Sequence, residues 1–237
     1  MGFRLSKSAV NSYLKCPREF KYHYEDRKPV KQSPHLKVGI DIHSIAEDFI
    51  KLWKEDNSID ILETLLKLES QYDEDYVEHC LNLANFFRIK LIDENYSLFI
   101  AEEKLYSEKY DFSGLADIVL EKDGELTIID YKTGKAKSVH DYIMELSFYR
   151  MLIEEQYPSM KVRYAGIFFT KVGVYSQVEF VEKEYSSVDC SKKEYENQLK
   201  LLEEVRKNIE LGHFEPKRQR LCLSCDYKGY CERDGFI

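Results

Sequence analysis

The sequence lacks the marks of a membrane or secreted protein. No apolar run approaches the roughly 20 residues of a membrane span, and the N-terminus, MGFRLSKSAV, is too polar for a secretory signal. These absences predict a soluble, cytoplasmic protein without a membrane partner. There is no internal repeat and no low-complexity tract. Proline and glycine are few, five and ten in 237 residues, and none interrupts residues 58–95. Disorder throughout is excluded by composition: 43% hydrophobic and 33% charged residues support a packed core. The length fits one large domain, or one domain with a small appendage.

An excess of positive charge is also missing. The net charge is −8 and the pI about 5.4, which argues against passive coating of DNA. The charge is unevenly spread. Residues 1–38 carry nine Lys/Arg against three acids, and residues 39–110 carry seven against seventeen. A basic segment on an acidic body suggests a localised polyanion site, with solvated surface as the plain alternative. Six cysteines in an unsecreted chain are not a disulfide framework. Cys222, Cys225 and Cys231 form C-x2-C-x5-C near the end, and Cys16 stands before Pro17 near the start. Cys80 and Cys190 read as ordinary thiols.

Ser6 or Ser8 can cap a helix with Val10, Tyr13, Leu14 and Phe20 at apolar positions, and Pro17 breaks it near Cys16. Residues 25–36 read as a loop. A helix is predicted over 37–55, with Val38, Ile42, Ile45, Phe49 and Leu52 on one face. Two acidic helices follow over 58–70 and 72–95, the second striped by Val77, Leu81, Ala84 and Ile92. The period then changes to strands over 97–106, 112–121 and 125–131, the last two joined by the Asp123-Gly124 turn. A helix over 139–156 ends before Pro158. Strands over 162–170 and 174–182 flank Gly173, and a polar helix over 187–211 stops at Gly212. The tail has little periodicity. The chain thus divides into 1–36, a helical region 37–96, a mixed α/β core 97–212 and a cysteine-bearing segment 213–237.

Asp117 and Asp130 sit in apolar strands on either side of the hairpin. Two carboxylates in neighbouring strands need a cation or donors to offset desolvation. Mg²⁺ or Mn²⁺ takes such oxygen ligands. Lys132 lies two residues from Asp130, on the same strand face. A cation held by both aspartates beside a lysine can activate water and stabilise a pentavalent phosphate. The plain alternative is a set of surface ion pairs with Lys132, Lys135 and Lys137.

Gly114-x-x-Asp117 followed by Asp130-Tyr131-Lys132-Thr133-Gly134-Lys135 resembles the PD-(D/E)XK nuclease fold in its RecB-like exonuclease branch. The resemblance implies a restriction-endonuclease-like mixed sheet flanked by helices, with residues 97–212 as the nuclease core. It implies a metal-dependent DNA exonuclease acting on single strands or free ends. Gly39 to Glu47 is similar to the family's G-x3-H-x3-E helix, which makes His43 a metal ligand beside Asp117, Asp130 and the Tyr131 carbonyl. Lys132 then orients or deprotonates the attacking water. Tyr149 matches a downstream Q-x3-Y motif, but Glu145 stands where glutamine is usual; a carboxylate facing the nucleic acid there would weaken binding.

Leu5-Ser6-Lys7-Ser8 and Tyr13 to Arg18 resemble the N-terminal motif of the iron–sulfur members of this branch, such as the AddB nuclease subunit and the CRISPR-associated RecB-like exonuclease. This implies a [4Fe–4S] cluster on Cys16, Cys222, Cys225 and Cys231. Zinc and free thiols are the alternatives, and the spacing does not separate the two metals. Residues 13–28 interleave aromatics with cations, a single-strand-binding pattern, and Arg18 and Lys21 are the candidate phosphate contacts. An amphipathic helix burying its aromatics is the alternative. The relatives point to CRISPR adaptation or DNA repair, with an integrase or a helicase as partner. A catalytically weak DNA-end-binding adaptor and a zinc-stabilised RNA-processing factor are the competing functions.

Overall fold

A computed structural model describes residues 4–29, 34–180 and 190–237, without the side chains of Glu102 and residues 190–195. Its centre is a six-stranded mixed sheet between two layers of helices. The strands are β1 (Leu5–Ser6), β2 (Ser97–Ser107), β3 (Phe112–Lys122), β4 (Glu125–Lys132), β5 (Lys161–Phe169) and β6 (Val174–Glu179), in the order β1-β3-β4-β5-β6, with β2 on the other edge of β3. This is the predicted architecture. The β3–β4 hairpin turns at Asp123 and Gly124, whose φ angles of 55° and 80° are those of a tight primed turn. β4 and β5 are parallel and joined through α6 (Ile143–Gln156).

One feature of the sheet positions the site. β4 pairs with β3 from Lys122↔Glu125 only as far as Ile118↔Ile129. Beyond that the strands part, and β1 takes up the freed edge of β3 through Leu5↔Phe112 and Ser6↔Ser113. The sheet is forked, with Asp117 at the branch point.

The N-terminal segment reaches the fork because Ser6 caps α1 (Lys7–Lys15), its Oγ accepting from the Ala9 N–H at 3.1 Å. Cys16 is extended, φ −160°, and Pro17 opens α2 (Pro17–Phe20), so the helix breaks where proline predicts. α1, α6 and α7 (Cys190–Glu210) cover one face of the sheet around Phe112, Ile128, Leu146, Phe148 and Leu152. α3 (Pro34–Glu55), α4 (Ile61–Glu69) and α5 (Val77–Phe87) cover the other around Ile45, Phe49, Phe87, Ile129 and Phe168.

Several expectations shift. α3 begins at Pro34, inside the predicted 25–36 loop, of which residues 30–33 lie outside the described residues. Leu52 points outward; Ala46 and Ile50 take the buried positions. Of the stripe expected for the helix over 72–95, only Ala84 is buried. Val77, Leu81 and Ile92 are exposed, while Cys80, Leu83, Ala84, Phe87 and Leu91 are buried. The helix also starts five residues later than predicted and continues as a π-helical turn over Arg88–Asp93. β6 ends at Glu179, and residues 181–182 and 187–189 of the last predicted strand and helix lie outside the described residues. The tail carries two short helices, a 3₁₀ turn over Arg220–Ser224 and α8 (Lys228–Arg233). Among the described residues no helix is long and apolar enough to cross a membrane.

Candidate active site

Where the strands part, the Asp117 side chain takes up the Tyr131 N–H: its Oδ2 accepts it at 2.7 Å. Its other oxygen, Oδ1, lies 3.4 Å from Nδ1 of His43, presented by α3. The His43 ring stands edge-on to the buried Tyr131 ring, centroids 5.8 Å apart. The structure thus brings Asp117, Asp130, His43 and Lys132 to one cavity of about 380 Å³, also lined by Lys7, Lys104, Leu115 and Tyr149.

Asp130 is 2% exposed. Burial first, and Asp117 second, push its carboxyl up to about 7. Lys132 Nζ lies 2.5 Å from Asp130 Oδ2 and 2.9 Å from Glu145 Oε1. Burial works to lower the lysine's pKa, but Asp130 and Glu145 outweigh it and the net shift is upward. The Lys132 carbonyl is pinned from behind by the Thr170 N–H at 2.9 Å. Thr170 is held in turn by His79, its Oγ1 2.8 Å from Nδ1, and by Asn82, which donates to the Thr170 carbonyl at 2.9 Å.

Glu145, on the first turn of α6, does not line the cavity. It is clamped between Lys7 and Lys132, hydrogen-bonded to both. Burial works to raise its pKa, but Lys7 and Lys132 prevail and hold its carboxyl down to about 2. The expected bare carboxylate facing nucleic acid is therefore corrected: this charge is neutralised by two lysines. Tyr149 is 2% exposed and its hydroxyl accepts from Lys7 Nζ at 2.6 Å. Lys7 escaped the sequence reading as a site residue. Its arrival depends on the β1–β3 pairing across more than a hundred residues, and the local signals are its place beside the Ser6 cap and in the Leu5-Ser6-Lys7-Ser8 motif.

The donors suit a hard divalent cation: two partly desolvated carboxylates with an imidazole against one of them. The thiols Cys16, Cys222, Cys225 and Cys231 line a separate void of about 20 Å³, at the seam between the start of the chain and its tail. Burial, and then mutual charge with the other cysteines, raises the pKa of Cys231; Cys225 is raised by burial first, with Cys16 and Glu19 adding to it. Among the described residues no three His, Cys, Asp or Glu side chains are already drawn together as a closed ligand set. Arg18 and Lys21 lie at this seam, away from the aspartate cavity. Arg18 sits 4.1 Å from the Phe236 ring centroid, and Lys21 pairs with Asp26 at 2.7 Å. Tyr13, Phe20 and Tyr22 are buried. Most aromatics of the basic segment therefore pack the seam instead of presenting faces to bases.

A sequence model of the PD-(D/E)XK nuclease superfamily matches residues 4–232. No curated protein matches the chain. A crystal structure from Eubacterium rectale described as a "Putative exonuclease" is similar at a TM-score of 0.56 and 14% identity, covering 94% of this chain and 87% of that one. At that identity the likeness speaks to fold. The family match spans the fork, the aspartates on its two arms and Lys132, and so the chain belongs to the PD-(D/E)XK nuclease superfamily.

Proposed function

We propose that this protein is a divalent-cation-dependent DNA exonuclease of the RecB-like branch, acting on single strands or free ends. The observation that carries the reading is the convergence of Asp117, Asp130 and Lys132 in one solvent-open cavity at the fork. Asp117 and Asp130, with His43 beside them, would hold Mg²⁺ or Mn²⁺; the Tyr131 carbonyl is the fourth proposed ligand. The bound cation supplies an acidified water and charge for the phosphate. Lys132, kept charged by its carboxylate neighbours, is a donor in this setting. It hydrogen-bonds the attacking water or a phosphate oxygen and stabilises the charge that builds in the transition state. Glu145 fixes the direction of that ammonium, and Thr170 fixes its backbone. The four seam cysteines are proposed to hold a [4Fe–4S] cluster, the donor set and the junction of the chain ends supporting it. A place in CRISPR adaptation or in repair, beside an integrase or a helicase, goes with this branch.

The test is release of acid-soluble nucleotides from end-labelled single strands in Mg²⁺ or Mn²⁺. Lys132→Ala should abolish release, a loss of at least about a hundredfold for a transition-state donor, well beyond the weaker binding in Ca²⁺ that follows from the lost charge. Equal release by wild type and Lys132→Ala would place the activity elsewhere. A wild type that binds ends, flaps and circles but cuts none in any metal would replace the nuclease by an adaptor.

A further inference from the structure

We infer that Lys7 is a second substrate-facing cation of this site, its ammonium meeting a phosphate oxygen of the bound strand while Glu145 tethers it from behind. The identity of the ligand rests on the nuclease reading above. The placement of Lys7 stands on the structure. The residue opens α1 and lines the same cavity as Asp117, Asp130 and Lys132. Its ammonium hydrogen-bonds Glu145 and the Tyr149 hydroxyl, and lies 3.6 Å from Asp130 Oδ1. It also sits 4.6 Å from the Tyr149 ring centroid. Its side chain is 14% exposed and borders the cavity.

Charge balance says why a second ammonium belongs there. Asp117, Asp130 and Glu145 carry three negative charges. A dication and Lys132 together only cancel them, and the loaded cavity would offer a phosphate no net attraction. Lys7 makes it net positive. Lys104 also lines the cavity but is exposed, where solvent and salt screen it. A dication held by Asp117 and Asp130 would repel both ammonium groups. Glu145, bonded to each of them, keeps them at the wall.

The competing role for Lys7 is that of a structural counter-ion for Glu145, and a double substitution separates the two. Binding of a short labelled single strand is measured in Ca²⁺ across a salt series, for wild type, Lys7→Gln, Glu145→Gln and Lys7→Gln with Glu145→Gln. Lys7→Arg serves as the charge-keeping control. In the double variant the Glu145 carboxylate is gone, and Asp130, 3.6 Å from the ammonium, would be neutralised by Ca²⁺ and Lys132, so the demand of Glu145 for a counter-ion has vanished. If Lys7 touches phosphate, Lys7→Gln binds at least about tenfold more weakly at low salt, and the double variant, whose net charge equals that of wild type, recovers part of the affinity but not the lost contact. Their slope of log K against log salt should be shallower by about 0.7, the value for one single-strand contact. Lys7→Arg should keep the wild-type slope. A double variant with wild-type affinity and slope overturns the inference, even where wild type cleaves DNA. A wild type that binds but does not cleave removes the nuclease reading and leaves the Lys7 measurement intact. A wild type that does neither overturns both.

Discussion

Asp130 is the residue whose chemistry depends most on its surroundings. A free aspartate titrates near 4, and burial with Asp117 alongside pushes this one up to about 7. Between those values the folded, metal-free protein holds a proton that the unfolded chain has released. Stability from this group is therefore full at low pH and falls as pH rises from about 4 toward 7. Glu145 has the opposite sign, but its carboxyl, held down to about 2, acts only below the ordinary glutamate range; His79, its pKa lowered by burial, opposes the decline up to the ordinary histidine value, so the fall is clearest above it. In a chelator, the melting temperature should decline between pH 5 and 8, on the order of 2–4 °C for each kcal/mol lost. Mn²⁺ should restore more at pH 8 than at pH 5, because cation and proton compete for the carboxylate. A melting temperature that is flat or rising above the ordinary histidine value in chelator would show that the Asp130 proton is not retained.

At the scale of elements, the fork makes Asp117 do two jobs. It faces the cavity with one oxygen and completes the backbone of β4 with the other. Asp117→Ala should remove the acceptor that the Tyr131 N–H has in the Asp117 side chain, at a cost of about 1–3 kcal/mol. Asp117→Asn keeps an oxygen acceptor and should cost distinctly less, although both should lose metal-dependent cleavage. Chemical denaturation of the two variants decides it: equal losses would mean that the bridge contributes nothing. The meander, the hairpin turn and the break at Pro17 were legible because local chemistry dictates them. The face of α5 was not. Val77, Leu81 and Ile92 form as good a stripe as Cys80, Leu83 and Phe87, and only packing against Phe49 and Phe168 selects the second. The fork itself was invisible for the same kind of reason. It needs a two-residue strand, Leu5–Ser6, too short for any periodicity to announce.

Across the whole molecule, the two aspartates, His43 and Lys132 were readable as a set, but their lysine partner from the N-terminal segment was not. Cys222, Cys225 and Cys231 were readable by spacing and Cys16 only through the family resemblance, and the junction of the chain ends makes a prediction. Anaerobically purified protein should absorb broadly near 400 nm, a band on the order of that expected for iron–sulfur ligation. Substituting Cys16, Cys222, Cys225 or Cys231 should remove it, and substituting Cys80 should not. A colourless protein with stoichiometric zinc would overturn the cluster. The seam also closes on α1 directly. Lys217 donates to the Leu14 carbonyl at 2.5 Å, Gln219 to the Lys15 carbonyl at 2.9 Å, and the Tyr13 hydroxyl to the His213 carbonyl at 2.6 Å. The tail thus satisfies the carbonyls that the end of a helix leaves bare. The other end of that helix, roughly 14 Å away at 1.5 Å per residue, is Lys7. α1 therefore runs between two centres that share no side chain, with the tail holding one end and Lys7 carrying its charge into the cavity at the other.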